Sequence, residues 1–170
     1  MIVLGVDPGY RNLGLSVVLI SEDGKKATVL HSRSMTVGNA TAPMTFTKFL
    51  WPVLDELNDR FGIDAIASET PPIIVGQIKT TAYLWAVSSI IVAWAHSKGA
   101  SFRHASPLSL KMAVCRGLGR QWDRKAIPKK SEVKRMIEML IGKSSATSHE
   151  NDATLAALTM FSKLIPDDFT

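Results

Sequence analysis

Cysteine is nearly absent: Cys115 is the only one in 170 residues, so no disulfide can form within the chain and its thiols cannot build a metal cluster. By itself Cys115 reads as a small buried apolar residue. Long apolar runs are missing as well. No stretch approaches the roughly 20 apolar residues of a membrane span, and "MIVLGVDPG" has too short an apolar run, without a basic start, for a secretory signal. The expected setting is soluble and cytoplasmic, with no membrane partner. Internal repeats and low-complexity segments are also lacking, which excludes a repeat architecture.

What is present is 46% apolar residues with both charge signs, enough for one compact globular domain over residues 1–170. The net charge is +5, unevenly placed. Nine basic residues, Lys111, Arg116, Arg120, Arg124, Lys125, Lys129, Lys130, Lys134 and Arg135, stand against Asp123 and Glu132, a local +7 that leaves −2 for the rest of the chain. Such a run is either a solvated face or a surface that tracks phosphates, and charge alone does not choose.

"MIVLGVD" predicts a central strand, apolar on both faces. "LGLSVVLI", the Asp-Gly turn in "SEDGKK" and "ATVLHSRSM" complete an antiparallel meander of three strands. Phe46, Phe49, Leu50, Val53, Leu54, Leu57 and Phe61 recur at helical spacing, with a kink or break expected at Pro52. "IDAIASE" is a fourth strand that stops at "TPP". A long apolar helix follows from about Gly76 to Lys98, then the strand "ASFRHA". "SPLSLKMAVCRG" is a helix capped by Ser106 with Pro107 in its first position. "GLGRQWDRKAIPKK" reads as a basic loop, and "SEVKRMIEMLIG" as a helix ending at Gly142. In "TSHENDATLAALTMF", Thr147 and Glu150 fit a capping box that opens the last helix.

Acids end the first and fourth strands. An ionised Asp7 closing an apolar run is costly to bury alone, so it is hydrogen-bonded, paired or holding a cation. If those strands are parallel neighbours, Asp7 and Glu69 emerge side by side and repel unless one is protonated or a cation lies between them. His149 and Asp152, three apart, share one face near the start of the last helix. Three carboxylates with one imidazole suit Mg²⁺ or Mn²⁺ better than Zn²⁺, and two such ions about 3.5–4 Å apart can clamp both reacting oxygens of a phosphodiester. Taken singly, each residue also has an ordinary role: a turn cap, an ion pair with arginine, a surface histidine, or a charge favoured by the helix dipole.

In this order, "LGVDPGYRNLGLSVV", "AIASE", "SPLSLKMAVCRG", "KKSEVKRMIEML" and "SHENDATLAAL" resemble the segments of RuvC-type Holliday junction resolvases, members of the RNase H-like nuclease superfamily. The resemblance covers roughly residues 2 to 160. It implies an α/β, RNase H-like fold: a mixed five-stranded sheet, antiparallel meander then parallel strands, flanked by helices. It also implies a metal-dependent endodeoxyribonuclease that resolves four-way DNA junctions by paired nicks as a homodimer, with two Mg²⁺ per active site or Mn²⁺ in their place. Asp7, Glu69 and Asp152 match the catalytic, metal-holding carboxylates. His149 falls where relatives carry aspartate or histidine, as a ligand or a group that orients water or moves a proton.

Lys111 and Lys130 match phosphate-contacting positions, and Arg116, Arg120, Arg124, Lys125, Lys129 and Lys134 extend the expected DNA-binding surface. Glu150, off the His149/Asp152 face, is expected to serve the capping box. Where some relatives carry a wedging aromatic after the second acid, this chain has "TPPII", with Pro72 near that place. The segment "GRQWDRKAIP" is longer than usual, and its Trp122 either stacks on DNA or packs under its own loop. A compact member of this kind is similar to phage-borne versions, which process several branched DNAs.

The long helix has more apolar surface, from Ile78, Tyr83, Leu84, Trp85, Val87, Ile90, Ile91 and Trp94, than one sheet face requires, so the dimer contact is expected there. Other readings stay open. A related nuclease for flaps, forks or RNA–DNA hybrids would keep the same acids, and a non-catalytic junction-binding protein would keep the basic segment without the full acidic set. An actin-like ATPase would need two such domains and phosphate loops that this chain lacks.

Overall fold

The computed structural model describes residues 1–9, 12–23, 26–36, 43–117, 129–141 and 147–160. Its first three strands, β1 (Ile2–Pro8), β2 (Asn12–Ile20) and β3 (Ala27–Thr36), form the expected meander. Helix α1 (Pro43–Phe61) leads to strand β4 (Ala65–Glu69), helix α2 (Ile78–Lys98) and strand β5 (Ser101–Ala105). Three helices follow: α3 (Pro107–Gly117), α4 (Lys130–Ile141) and α5 (Ser148–Leu158). The sheet order is β3-β2-β1-β4-β5, with β4 and β5 parallel to β1. β1 is therefore central, and being covered on both faces it needs apolar residues at successive positions.

The two faces differ in side-chain size. Toward α1 and α2 they are large: Leu4, Val6, Leu13, Leu15 and Ile66 meet Leu50, Leu54, Leu57, Ile91 and Trp94. Toward α5 several are small: Ala65, Ala67 and Ala105 meet Ala156 and Ala157, alongside Val3, Val18 and Ile20. A Cβ added to Gly5 would overlap the Ala153 carbonyl oxygen and come within 2.9 Å of Ala157 Cβ, and one added to Gly14 would overlap the His149 carbonyl oxygen. Helix α5 therefore lies almost on the backbone of β1 and β2.

Helix α1 continues through Pro52 rather than breaking there. Proline lacks the N–H that would reach Lys48, but Phe46, Leu50, Leu54 and Leu57 on both sides of it are buried in one cluster, which holds the two halves together. Ser106 caps α3 as expected, its hydroxyl accepting from Ser109 N at 3.0 Å. The expected end of α4 at Gly142 lies outside the described residues.

By length and composition α2 is long and apolar enough to cross a membrane, unlike the expectation from apolar runs alone. It is instead a core helix on one side: Leu84, Val87, Ile91 and Trp94 are buried in this chain's own core. These four are therefore unavailable to a second copy, which corrects half of the expected dimer contact. Ile78, Trp85 and Val92 are the large apolar residues of α2 left at the surface. Trp94 donates its indole N–H to Asp55 Oδ1 at 3.0 Å, and Lys98 Nζ meets the same oxygen at 2.8 Å. This pins α2 to α1. Gly99, with φ +68, closes α2 in the left-handed conformation that glycine adopts without a steric cost.

Two glycine substitutions separate these roles. Gly5→Ala forces a methyl into backbone and should cost at least about 3 kcal/mol, whereas Gly99→Ala, with open space around it, should cost about 1 kcal/mol from backbone strain. Urea unfolding midpoints should fall in that order.

Candidate active site

The register between β1 and β4 runs from Val3 opposite Ala65 to Val6 opposite Ser68. Continued by one residue, it sets Asp7 beside Glu69 at the sheet's end. Both carboxylates share a cleft of about 300 Å³, walled by Pro8, Pro71, Pro72 and Leu84. Beyond the prolines, Ile73, Val75 and Ile78 are 79%, 95% and 83% exposed, an unusual concentration of aliphatic surface beside a polar site.

Asp7 lies opposite Gly14 of β2, and the missing Cβ there admits the first turn of α5. That turn starts at Thr147, whose hydroxyl accepts from Glu150 N at 3.2 Å. One residue into the helix, His149 places Nδ1 2.7 Å from Asp7 Oδ2. Burial pushes the Asp7 carboxyl above its ordinary range even though His149 and Lys130 favour its ionised form. Burial, and then the negative charge of Asp7, push Asp152 up too, again opposed by Lys130 and His149. Asp7, His149, Asp152 and Lys130 thus form one electrostatically coupled group, with Glu69 on the neighbouring strand.

Of the expected DNA-binding residues, Lys129 and Lys130 lie exposed at the start of α4, where Glu132 Oε2 accepts from Lys129 N at 3.0 Å. Lys134 is exposed, 4.0 Å from Glu138. The side chains of Lys111 and Arg116, and all of Arg120, Trp122, Arg124 and Lys125, lie outside the described residues. Thr147 supplies its half of the capping box expected with Glu150; Glu150 is also buried and meets Ser32 Oγ at 3.4 Å on β3, a contact that spacing within the helix does not announce. The available sequence signal was the pair Glu150 and Thr154, four apart and hence on one side of a helix otherwise lined with alanine.

The donors suit a hard divalent cation: carboxylates plus one imidazole, with Asp7 and Asp152 made costly to ionise by burial and Asp152 also by the charge of Asp7. That charge repulsion is what a cation relieves. Among the described residues no three such side chains are already gathered tightly enough to cage an ion; they flank the end of β1 instead.

Residues 3–160 match the family model described as crossover junction endodeoxyribonuclease RuvC. The chain belongs to the RuvC family of crossover junction endodeoxyribonucleases. It is 31% identical to the Thermus thermophilus RuvC over 163 residues, covering 94% of this chain and 92% of that protein. With the RuvC of Alkaliphilus metalliredigens it shares 28% identity over 94% and 91% of the two chains. Among solved structures, T. thermophilus RuvC in complex with Holliday junction substrate superposes with a TM-score of 0.74 at 25% identity, over 94% of this chain and 92% of that one. A yeast mitochondrial Holliday junction resolvase, at 15% identity and a TM-score of 0.68 over 95% and 79% of the two chains, shares the fold. Nucleases of this family are metal-dependent.

The raised carboxyls carry a sign that can be tested. An acid whose folded pKa lies above its unfolded value destabilises the fold while ionised, and the penalty is relieved as pH falls through the folded pKa. With EDTA present, Asp152→Asn should therefore melt a few degrees above wild type at pH 7.5. The gap should close as pH falls through the raised pKa of Asp152 toward the ordinary carboxylate range, because the wild-type acid then takes up its own proton. Melting curves across pH read both.

Proposed function

We propose that this chain is a structure-specific endodeoxyribonuclease that cuts four-way DNA junctions with paired nicks, acting as a homodimer, with Mg²⁺ as its metal and Mn²⁺ able to replace it. The observation that carries this reading is the 2.7 Å bond between His149 on α5 and Asp7 on β1, with Asp152 and Lys130 acting on the same carboxyl cluster. Asp7, Glu69, Asp152 and His149 would hold the metal. Bound there, it supplies a water activated near neutral pH and a clamp on the phosphate oxygens.

The chain's own residues do the rest. Asp7, engaged by His149 through Oδ2, keeps Oδ1 for a ligand, and the hydrogen bond fixes which way the carboxylate faces. His149, with Nδ1 committed to Asp7, has Nε2 either to serve as the metal ligand or, in the alternative role, to hold or pass a proton. Lys130 brings an ammonium toward the same carboxylates, where it meets the non-bridging oxygens of the scissile phosphate and offsets their charge. Lys111, Arg116, Arg120, Arg124, Lys125, Lys129 and Lys134 track phosphates of the junction arms. The aliphatic Ile73, Val75 and Ile78 face the branch point in place of an aromatic. A second copy docks on the exposed Trp85 and Val92 of α2, so that two active sites address strands related by a two-fold axis.

The deciding experiment is cleavage of labelled four-way junction, three-way junction, flap and linear duplex with Mg²⁺, Mn²⁺ or EDTA. Paired metal-dependent nicks in the four-way junction, lost in Asp7→Asn while junction binding persists, are expected. Equal cutting of all branched substrates would instead make the enzyme a general debranching nuclease. Junction binding by wild type without cleavage in either metal would overturn the catalytic reading.

The basic surface has its own signature. Replacing Lys111 and Lys130 by alanine should weaken junction binding and reduce the slope of log K against log salt by roughly 2. An unaltered slope in a salt titration would remove both lysines from the phosphate contacts.

A further inference from the structure

We propose that Thr154 and Glu150 are positioning residues, which set the roll of α5 on the sheet and thereby the aim of His149 at Asp7. The inference rests on the nuclease reading of that site. Successive helix positions lie about 100° apart, so α5 presents three ridges to the sheet. His149 and Asp152 form one, over the end of β1. Ala153 and Ala157 form the second, seated on Gly5. Glu150 and Thr154 form the third, over β2 and β3.

The third ridge is polar where its surroundings are apolar. Thr154 and Ser16 are fully buried, and their hydroxyls are hydrogen-bonded at 2.7 Å, with Thr154 Oγ1 also 2.8 Å from the Glu150 carbonyl oxygen that can take its proton. Ser16 pairs with Gly5 on one side and Ser32 on the other, so both serines face α5. Ser32 then donates to Glu150 Oε2.

The glycine slots set how closely α5 approaches, but a smooth alanine ridge on glycine offers little resistance to rolling. Directional hydrogen bonds on the third ridge supply that resistance. A roll that broke them would swing His149, on the other flank of the alanine ridge, away from Asp7.

The test exploits an asymmetry of buried hydrogen bonds. Removing one partner strands the other, whereas replacing both by apolar groups of similar shape is close to neutral for stability. In the double variant Ser16→Ala with Thr154→Val, urea midpoint and junction affinity should stay near wild type while the single-turnover cleavage rate falls about tenfold. Thr154→Ser, which keeps the hydroxyl, should restore most of the rate. The His149 imidazole ¹⁵N resonances should move in the double variant and stay in place in Thr154→Ser. Should the double variant not fold, Ser32→Ala on the sheet-edge strand is read for the same rate loss and resonance shift.

A well-folded double variant that cuts at the wild-type rate with unmoved His149 resonances would overturn the proposal and leave the ridge as packing alone. If wild type cuts no junction, the nuclease reading fails separately, and the resonances still decide whether the ridge aims His149.

Discussion

The arrangement depends on how closely α5 can approach β1 and β2. Gly5 and Gly14 leave no side chain between helix and sheet, and the Cβ atoms they lack would occupy the space of the Ala153 and His149 carbonyl oxygens. Everything chemical about the site follows from that approach. Only a helix lying on the strand backbone can bring Nδ1 of His149 within 2.7 Å of a carboxylate at the end of β1. The small residues on this face, Ala65, Ala67, Ala105, Ala156 and Ala157, belong to the same design. The bulky residues that give the fold most of its apolar burial are gathered on the opposite face.

The site is assembled from parts that are individually unfavourable. Asp7 and Asp152 are held where burial opposes their charge, and each is pulled back toward ionisation by His149 and Lys130. Such opposition is common where a protein prepares to bind a cation or a charged substrate. The strand's apolar interior carries Asp7 to the far end of the central strand, one residue before β1 stops at Pro8, where the core gives way to an open cleft. Glu69 repeats that solution on the adjacent parallel strand.

Much of this was legible in the chain. The meander, the alternation of later helices and strands, the Ser106 and Thr147 caps and the acids at two strand ends are local signals, and each element formed where its pattern lay. At Pro52 the break, one of the two expected outcomes, does not occur, because burial on both sides of it keeps the helix continuous. Leu84, Val87, Ile91 and Trp94 misled. Apolar excess on α2 does not reveal which residues the chain's own sheet covers. Sequence spacing shows that Glu150 can reach Thr147 within its own helix, not that Ser32 on a distant strand also meets it.

The sequence by itself determined the order of the elements, the acidic residues at their ends and the face that His149 and Asp152 share, because these depend on periodicity and neighbours a few residues apart. Only the tertiary structure decided that β1 and β4 lie side by side, that α5 is seated on two glycines, and that Ser16 and Ser32 meet Thr154 and Glu150. Those pairings join residues about 60 to 150 positions apart, and they exist only after the sheet has formed and the helix has been pressed against it.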